Sequence, residues 1–275
     1  FTRNRGTMTG IVKVGTGAGQ FIIPLAVSLL IAGYGWRTAF AILSASVSSL
    51  LFFIALLLRR DPGRPGPGPD GKKTAWRDKQ DSAGQGLSIR ETIRTRQFGT
   101  VCIVNLNTVF CLMIIMVHIV PHARDFGASG AVGAGVLATI GGVSMAGRFI
   151  TGIAVDRMGS RKAMIVCLHL LIGALLWLQV ADELWMLYLF AVVYGMAHGG
   201  FFTAISPLVA EFFGITAHGL LFGIVSFSGN VGGAAGPVLA GYIFDLTAAY
   251  QAVFWLCTLL SGLGLGLIWS LKPIR

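Results

Sequence analysis

Residues 5–24 read RGTMTGIVKVGTGAGQFIIP, and residues 218–237 read HGLLFGIVSFSGNVGGAAGP. At a constant offset of 213 residues, Gly6, Gly10, Ile11, Val12, Gly19 and Pro24 fall on Gly219, Gly223, Ile224, Val225, Gly232 and Pro237 without a gap. Both segments are apolar and unusually rich in glycine. A long apolar segment that repeats in this way marks a membrane protein built from two related halves.

Composition supports the membrane reading. Of the 275 residues, 55% are hydrophobic and only 12% are charged, and the mean hydropathy is +0.76. A soluble domain carries about 25% charged residues. Spanning a bilayer as a helix takes about 20 apolar residues. Eight stretches meet that length, at approximately 8–33, 38–58, 99–121, 129–155, 163–181, 184–209, 217–244 and 249–270. The predicted fold is therefore all-α and polytopic.

The repeat sets the architecture. Its first copy lies on the first span and its second on the seventh, so the period is six helices. Six crossings restore the direction of the chain, which gives a parallel repeat. Residues 1–58 then hold the last two helices of the N-terminal half, and residues 99–275 hold all six of the C-terminal half. The first four helices are expected upstream of Phe1, so the chain reads as N-terminally truncated. Between the two groups, residues 59–98 open with RRDPGRPGPGPDGKK, a Pro/Gly-rich polar linker. Its last part, Ser88-Ile89-Arg90-Glu91, has a capping-box pattern that predicts a short helix at the membrane surface.

With residues 1–7 on the cytoplasmic side, 17 of the 21 Lys and Arg residues fall on that side. This asymmetry orients the linker and the C-terminus toward the cytoplasm. It also accounts for the formal net charge of +10 without a nucleic-acid partner. The predicted location is the cytoplasmic (inner) membrane. Cys102, Cys111, Cys167 and Cys257 all lie in apolar runs and lack metal-ligand spacing. No phosphate-binding loop, nucleophile elbow or metal cluster is evident, so neither an enzyme, a cofactor nor a metal is predicted.

The loop after the fourth span reads GIAVDRMGSRK, from Gly152 to Lys162. This pattern resembles the signature loop of the major facilitator superfamily, and it joins the second and third helices of its half, as in that family. The resemblance implies a gating loop formed by Gly152, Asp156, Arg157, Gly159, Arg161 and Lys162. Gly152 permits close helix approach. Asp156 has the charge to face a helix N-terminus, and the basic residues the charge to latch the inner side. Three further stretches are similar to the monocarboxylate transporter and oxalate–formate antiporter branches. They are RG-x-x-x-GI at Arg5, LVAEFFG at 208–214 and GPVLAGYIFDLTAAY at 236–250. Ala248-Ala249 departs from a Gly-Ser pair common in those branches. The resemblance implies two six-helix halves that rock about a central site.

Arg148 leads the candidate site residues. A charge in the hydrocarbon costs about 2.5–3.5 kcal/mol on insertion scales, so it needs a partner or a wet cavity. Its neighbours one turn away include Ser144, Thr151 and Gly152, a small and polar face. A guanidinium there is able to grip a carboxylate in a bidentate fashion. The monocarboxylate branch has a functional Arg in a V-D-x-x-x-R pattern on this helix. Here Val143 and Arg148 match, but Ser144 stands in place of the acid, which removes the residue linked there to proton coupling. Lys13 is second. Its stripe of Gly6, Gly10, Lys13, Gly17, Gln20 and Pro24 corresponds to Gly219, Gly223, Ser226, Asn230, Gly233 and Pro237. Ser226 and Asn230 are thus candidate residues of a matching wall. Asn105 and His118 give the third span a polar side, and Tyr194 and His198 are further lining candidates. The competing reading makes Arg148 a structural residue and lets Lys13 snorkel to the near membrane face.

The function that follows is secondary active transport of a small organic anion, a monocarboxylate or small dicarboxylate, by a monomer in contact with membrane lipid. The co-transported species is either a proton or an exchanged anion. A drug or sugar carrier of the same superfamily, or a non-transporting sensor or inactive fragment, is the alternative.

Overall fold

A computed structural model describes residues 5–57, 89–125 and 127–271. Among these residues all regular structure is helical. The helices are α1 (Arg5–Leu57), α2 (Ile89–Ile93), α3 (Arg96–Asp125), α4 (Gly130–Met158), α5 (Ser160–Leu178), α6 (Leu184–Phe213), α7 (His218–Thr247) and α8 (Gln251–Ser270). All but α2 are long and apolar enough to cross a membrane. The short α2 falls where the capping pattern predicts a helix. Most of the 59–98 linker lies outside the described residues, as do Arg3, Lys272 and Arg275.

The first two expected spans lie end to end within α1, as two helices that meet at a kink. At 53 residues it is far longer than the roughly 20 a bilayer needs. Its helical backbone is interrupted at Gly35, where φ is 75° and ψ is 162°. Glycine adopts this conformation without a Cβ clash. The second copy breaks at the same register. Helix α7 ends at Thr247, just before Ala248, the counterpart of Gly35. Ala248 also has a positive φ, 52°. Both copies thus leave the helix at the same register with a positive φ, although ψ differs, 162° at Gly35 and 22° at Ala248.

Helix α4 occupies the centre. It packs against α1 and α6 and touches α3 and α5, while α7 packs on α3, α5 on α6, and α8 on α5 and α3. The buried core runs through α3 to α8, with Phe190, Phe201, Met164 and Leu168 among its largest fully enclosed side chains. Beyond Gly35 only Ala39 of α1 is buried. Such an apolar outer surface is compatible with lipid as the solvent.

Small residues set the α1–α4 spacing. An ideal Cβ on Gly10 would lie 2.6 Å from the Arg148 carbonyl oxygen, and one on Gly17 2.6 Å from Met145 Cγ. From the other side, a Cβ on Gly152 would lie 2.7 Å from the Gly6 carbonyl oxygen. The two copies use their glycines differently. Gly219 and Gly223, the counterparts of Gly6 and Gly10, have nothing within 4 Å, whereas Gly232 and Gly236 press on α3 and their side of α1 at Gly19 is open.

A matched pair of substitutions tests this seam. Gly10→Ala should destabilise the protein by about 1–3 kcal/mol through overpacking. Gly19→Ala should be neutral or slightly stabilising, by up to about 1 kcal/mol from helix propensity. Thermal unfolding in detergent micelles reads both. In the same assay Ala248→Gly should stabilise by about 1 kcal/mol, by relieving the left-handed backbone.

Candidate functional site

The α1–α4 seam encloses a cluster of cations. Ser144, Arg148 and Gly152 recur at helical spacing along α4 and face the glycine stripe of α1. Close approach of the two helices leaves Arg148 only 2% exposed. One of its nitrogens, Nη2, donates to Gln20 Oε1 at 3.3 Å. That is its single hydrogen bond among the described residues, and Nε is buried with no partner. No described carboxylate lies within ion-pair distance of Arg148 or Lys13; the one ion pair among these residues joins His122 and Asp125. A guanidinium has five N–H donors, so most of its bonding capacity is unused.

Lys13 comes from α1 and its ammonium donates to the Phe202 carbonyl oxygen on α6. It also stands over the Phe222 ring of α7, 5.9 Å from the centroid, a cation–π distance. His198 of α6 is fully buried, and neither ring nitrogen has a partner. Its ring stacks on Tyr194 at 5.9 Å and meets Phe202 edge-on at 5.1 Å. Both Lys13 and His198 lie within electrostatic reach of Arg148. Four helices therefore converge on a region with two basic side chains, a neutral amide and an unsatisfied imidazole.

Several candidate residues are occupied elsewhere. Asn105 Nδ2 donates to the Val225 carbonyl at 2.6 Å, tying α3 to α7. His118 bridges the Pro237 carbonyl at 3.0 Å and the Tyr250 hydroxyl at 3.1 Å. The Tyr194 hydroxyl donates to the Leu112 carbonyl at 2.7 Å. These polar groups hold helices together. Ser144, fully buried, donates to the Gly141 carbonyl at 2.7 Å. Ser226 is half-buried and Asn230 exposed; with Phe222 they form an i, i+4, i+8 stripe on one face of α7. The residue that sequence reasoning leaves without a role is Gln20. It shares the stripe of Lys13, but only the structure brings it to Arg148.

Residues 152–162 fasten helix ends. Asp156 accepts from Gly6 N and Thr7 N, each at 2.8 Å, and from Thr7 Oγ1 at 2.7 Å. It thereby caps the first turn of α1, whose N–H groups have no partner in their own helix. Gly159 makes the turn into α5 with φ 87°. Ser160 N donates to Glu211 Oε2 at 2.9 Å, and the Ser160 hydroxyl bonds the same oxygen. Arg161 donates to the Ile268 carbonyl at 3.1 Å and to the Trp269 carbonyl, at the C-terminus of α8. Arg157 and Lys162 are exposed. A cavity of about 490 Å³ lies beside this loop, against Glu211 and Trp269. In the cationic cluster Arg148 and His198 are buried, while Lys13 and Gln20 are half-buried. Among the described residues no group of His, Cys, Asp and Glu could hold a metal ion.

Residues 1–152 and residues 99–275 each match the family model of the Major Facilitator Superfamily, and together they cover the chain. The chain belongs to the major facilitator superfamily. It is a multi-pass membrane protein of a family of transporters, not of an enzyme class. Within the superfamily the similarity is to the monocarboxylate branch. Monocarboxylate transporter 12 of Rattus norvegicus is 28% identical over 281 residues, covering 94% of this chain and 57% of the relative. Monocarboxylate transporter 11 of Homo sapiens is 28% identical over 267 residues, covering 93% and 54%. Monocarboxylate transporter 13 of Bos taurus is 28% identical over 262 residues, covering 92% and 57%. The chain thus spans somewhat more than half the length of these relatives.

The loop geometry predicts unequal roles for two adjacent charges. Asp156→Ala should destabilise the protein by about 1 kcal/mol through loss of the α1 cap. Arg157→Ala, at an exposed side chain with no partner among the described residues, should stay within about 0.5 kcal/mol. Thermal unfolding of the two variants side by side measures the difference.

Proposed function

We propose that the chain forms the anion-binding part of a secondary active transporter for small organic anions, a monocarboxylate or small dicarboxylate. The observation that carries this reading is Arg148, a buried cation that among the described residues has one hydrogen bond, to a neutral amide, and no acid partner. Burying an uncompensated charge is expensive. A site that tolerates this cost gains a strong preference for an anionic ligand. The carboxylate would receive two parallel N–H bonds from the guanidinium fork. Lys13 would add long-range attraction, and His198 a neutral donor. The names of the monocarboxylate transporters that the chain resembles support the same substrate class.

Alternating access would move residues 1–58 against residues 99–275, joined through the linker 59–98. The α1–α4 seam lies between these two groups, so the site would open and close at its own boundary. The loop at 152–162 would hold the cytoplasmic ends together in the closed form. Location in the cytoplasmic membrane, with the linker and C-terminus inside, follows from the positive-inside asymmetry. Anion exchange needs no proton-carrying side chain and so fits a site without a deep carboxylate among the described residues; in proton coupling the proton would have to travel with the substrate or on another group.

Counterflow of labelled lactate, pyruvate, formate and oxalate in proteoliposomes is the test. Arg148→Ala should reduce the transported anion's rate by about a hundredfold, the scale expected for losing a buried charge-assisted pair. Arg148→Lys should keep part of it, since the charge remains but the fork is lost. Normal carboxylate flux in Arg148→Ala would point instead to a structural arginine in a drug or sugar carrier. Absence of flux with all four anions in the unmodified protein would overturn the assignment of this substrate class.

A further inference from the structure

We propose that Gln20 is a removable internal ligand of Arg148. Its amide oxygen occupies the place that a substrate carboxylate oxygen takes, and its displacement sets the affinity and charge selectivity of the site. This rests on reading Arg148 as the anion-binding group.

The chemistry of the contact fixes its orientation. A guanidinium only donates, so the Gln20 atom facing Arg148 Nη2 is the carbonyl oxygen Oε1. The bond is 3.3 Å long, against about 2.7–2.9 Å for a charge-assisted bond to a carboxylate. Ser144 Oγ approaches the same oxygen at 3.5 Å, but its single proton is directed to the Gly141 carbonyl at 2.7 Å. Gln20 Oε1 is therefore held only by long contacts, at 3.3 Å from Arg148 and 3.5 Å from Ser144. An anionic oxygen in its place would be the better acceptor for every donor present.

Packing confines the displacement to the side chain. A Cβ on Gly141 would collide with the Gln20–Phe21 peptide, so in this closed arrangement the backbones of α1 and α4 are in contact and the side chain is the part free to move. The Gln20 side chain is only half-buried. It leaves Arg148 by rotamer change alone, without moving either helix. Its neutrality matters as much as its position. An acid here would cancel the Arg148 charge and fill the site permanently. An amide satisfies one donor while leaving the positive charge intact for an incoming anion.

The experiment measures binding to the 275-residue chain in lipid nanodiscs, by ¹³C saturation-transfer NMR with formate, lactate, pyruvate and oxalate, in four variants. Gln20→Ala and the bulkier Gln20→Leu remove the internal acceptor and should tighten binding of the anion recognised by the unmodified protein by about tenfold, the value of one hydrogen bond to a charged group. Gln20→Glu should abolish binding, because its carboxylate pairs with Arg148. Thermal unfolding of each variant identifies any that fails to fold, and Leu serves where Ala does not. A merely structural glutamine would give weaker binding in Gln20→Ala and Gln20→Leu. That outcome, or unchanged affinity, overturns the proposal, as does normal binding in Gln20→Glu. Arg148→Ala separates the two readings. If it binds anions normally, or if the unmodified protein binds none of the four, the anion site itself is wrong. If it loses binding while Gln20→Glu retains it, only the role of Gln20 falls.

Discussion

The rest of the structure depends on how closely α1 and α4 approach. Their contact is made backbone to backbone, with Gly6, Gly10 and Gly17 on one side and Gly141 and Gly152 on the other. In lipid, helices gain little from hiding apolar side chains, so close van der Waals packing of small residues is what joins them. This seam encloses Arg148, brings Gln20 within bonding distance of it, and aligns the first turn of α1 with Asp156. Arg148 belongs to both layers of the design. Its carbonyl oxygen forms part of the surface on which Gly10 rests, and its side chain projects into the cationic cluster. Packing and recognition thus share a residue.

Much of this was legible in the sequence, for reasons that differ by residue. Arg148 stands out because a charge in an apolar run is costly whatever surrounds it. The loop at 152–162 stands out because its glycines and charges fall at a helix end with family-like spacing. The helical membrane fold follows from the apolar spans, and the gapless repeat has one backbone echo, a positive φ at both Gly35 and Ala248. Asn105, His118 and Tyr194 show the limit of such reading. A polar side chain on a buried face has the same periodicity whether it meets a ligand or the carbonyl of the next helix, and these three meet carbonyls. Gln20 shows the converse. Its partner lies 128 residues away, and no local pattern announces that distance.

The sequence repeat also shows an economy in the glycines. One helix pattern, used twice, meets different neighbours. The α1 copy spends Gly6 and Gly10 on α4, and the α7 copy spends Gly232 and Gly236 on α3. Each copy therefore carries small residues on more than one face. The open positions of one are the packed positions of the other. Ala248 marks where the copies differ in cost, since a positive φ is free for Gly35 and strained for an alanine.

The uncompensated charges of Lys13 and Arg148 have an electrical consequence. Moving one elementary charge through a potential of 100 mV changes the energy by about 2.3 kcal/mol. On the proposed reading, the cluster is cationic when empty and loses a unit of charge when a monoanion binds. Loaded and unloaded forms would then feel the membrane voltage to different degrees. The resting potential would bias which face the vacant site presents, and recovery of the vacant form could set the pace of the cycle.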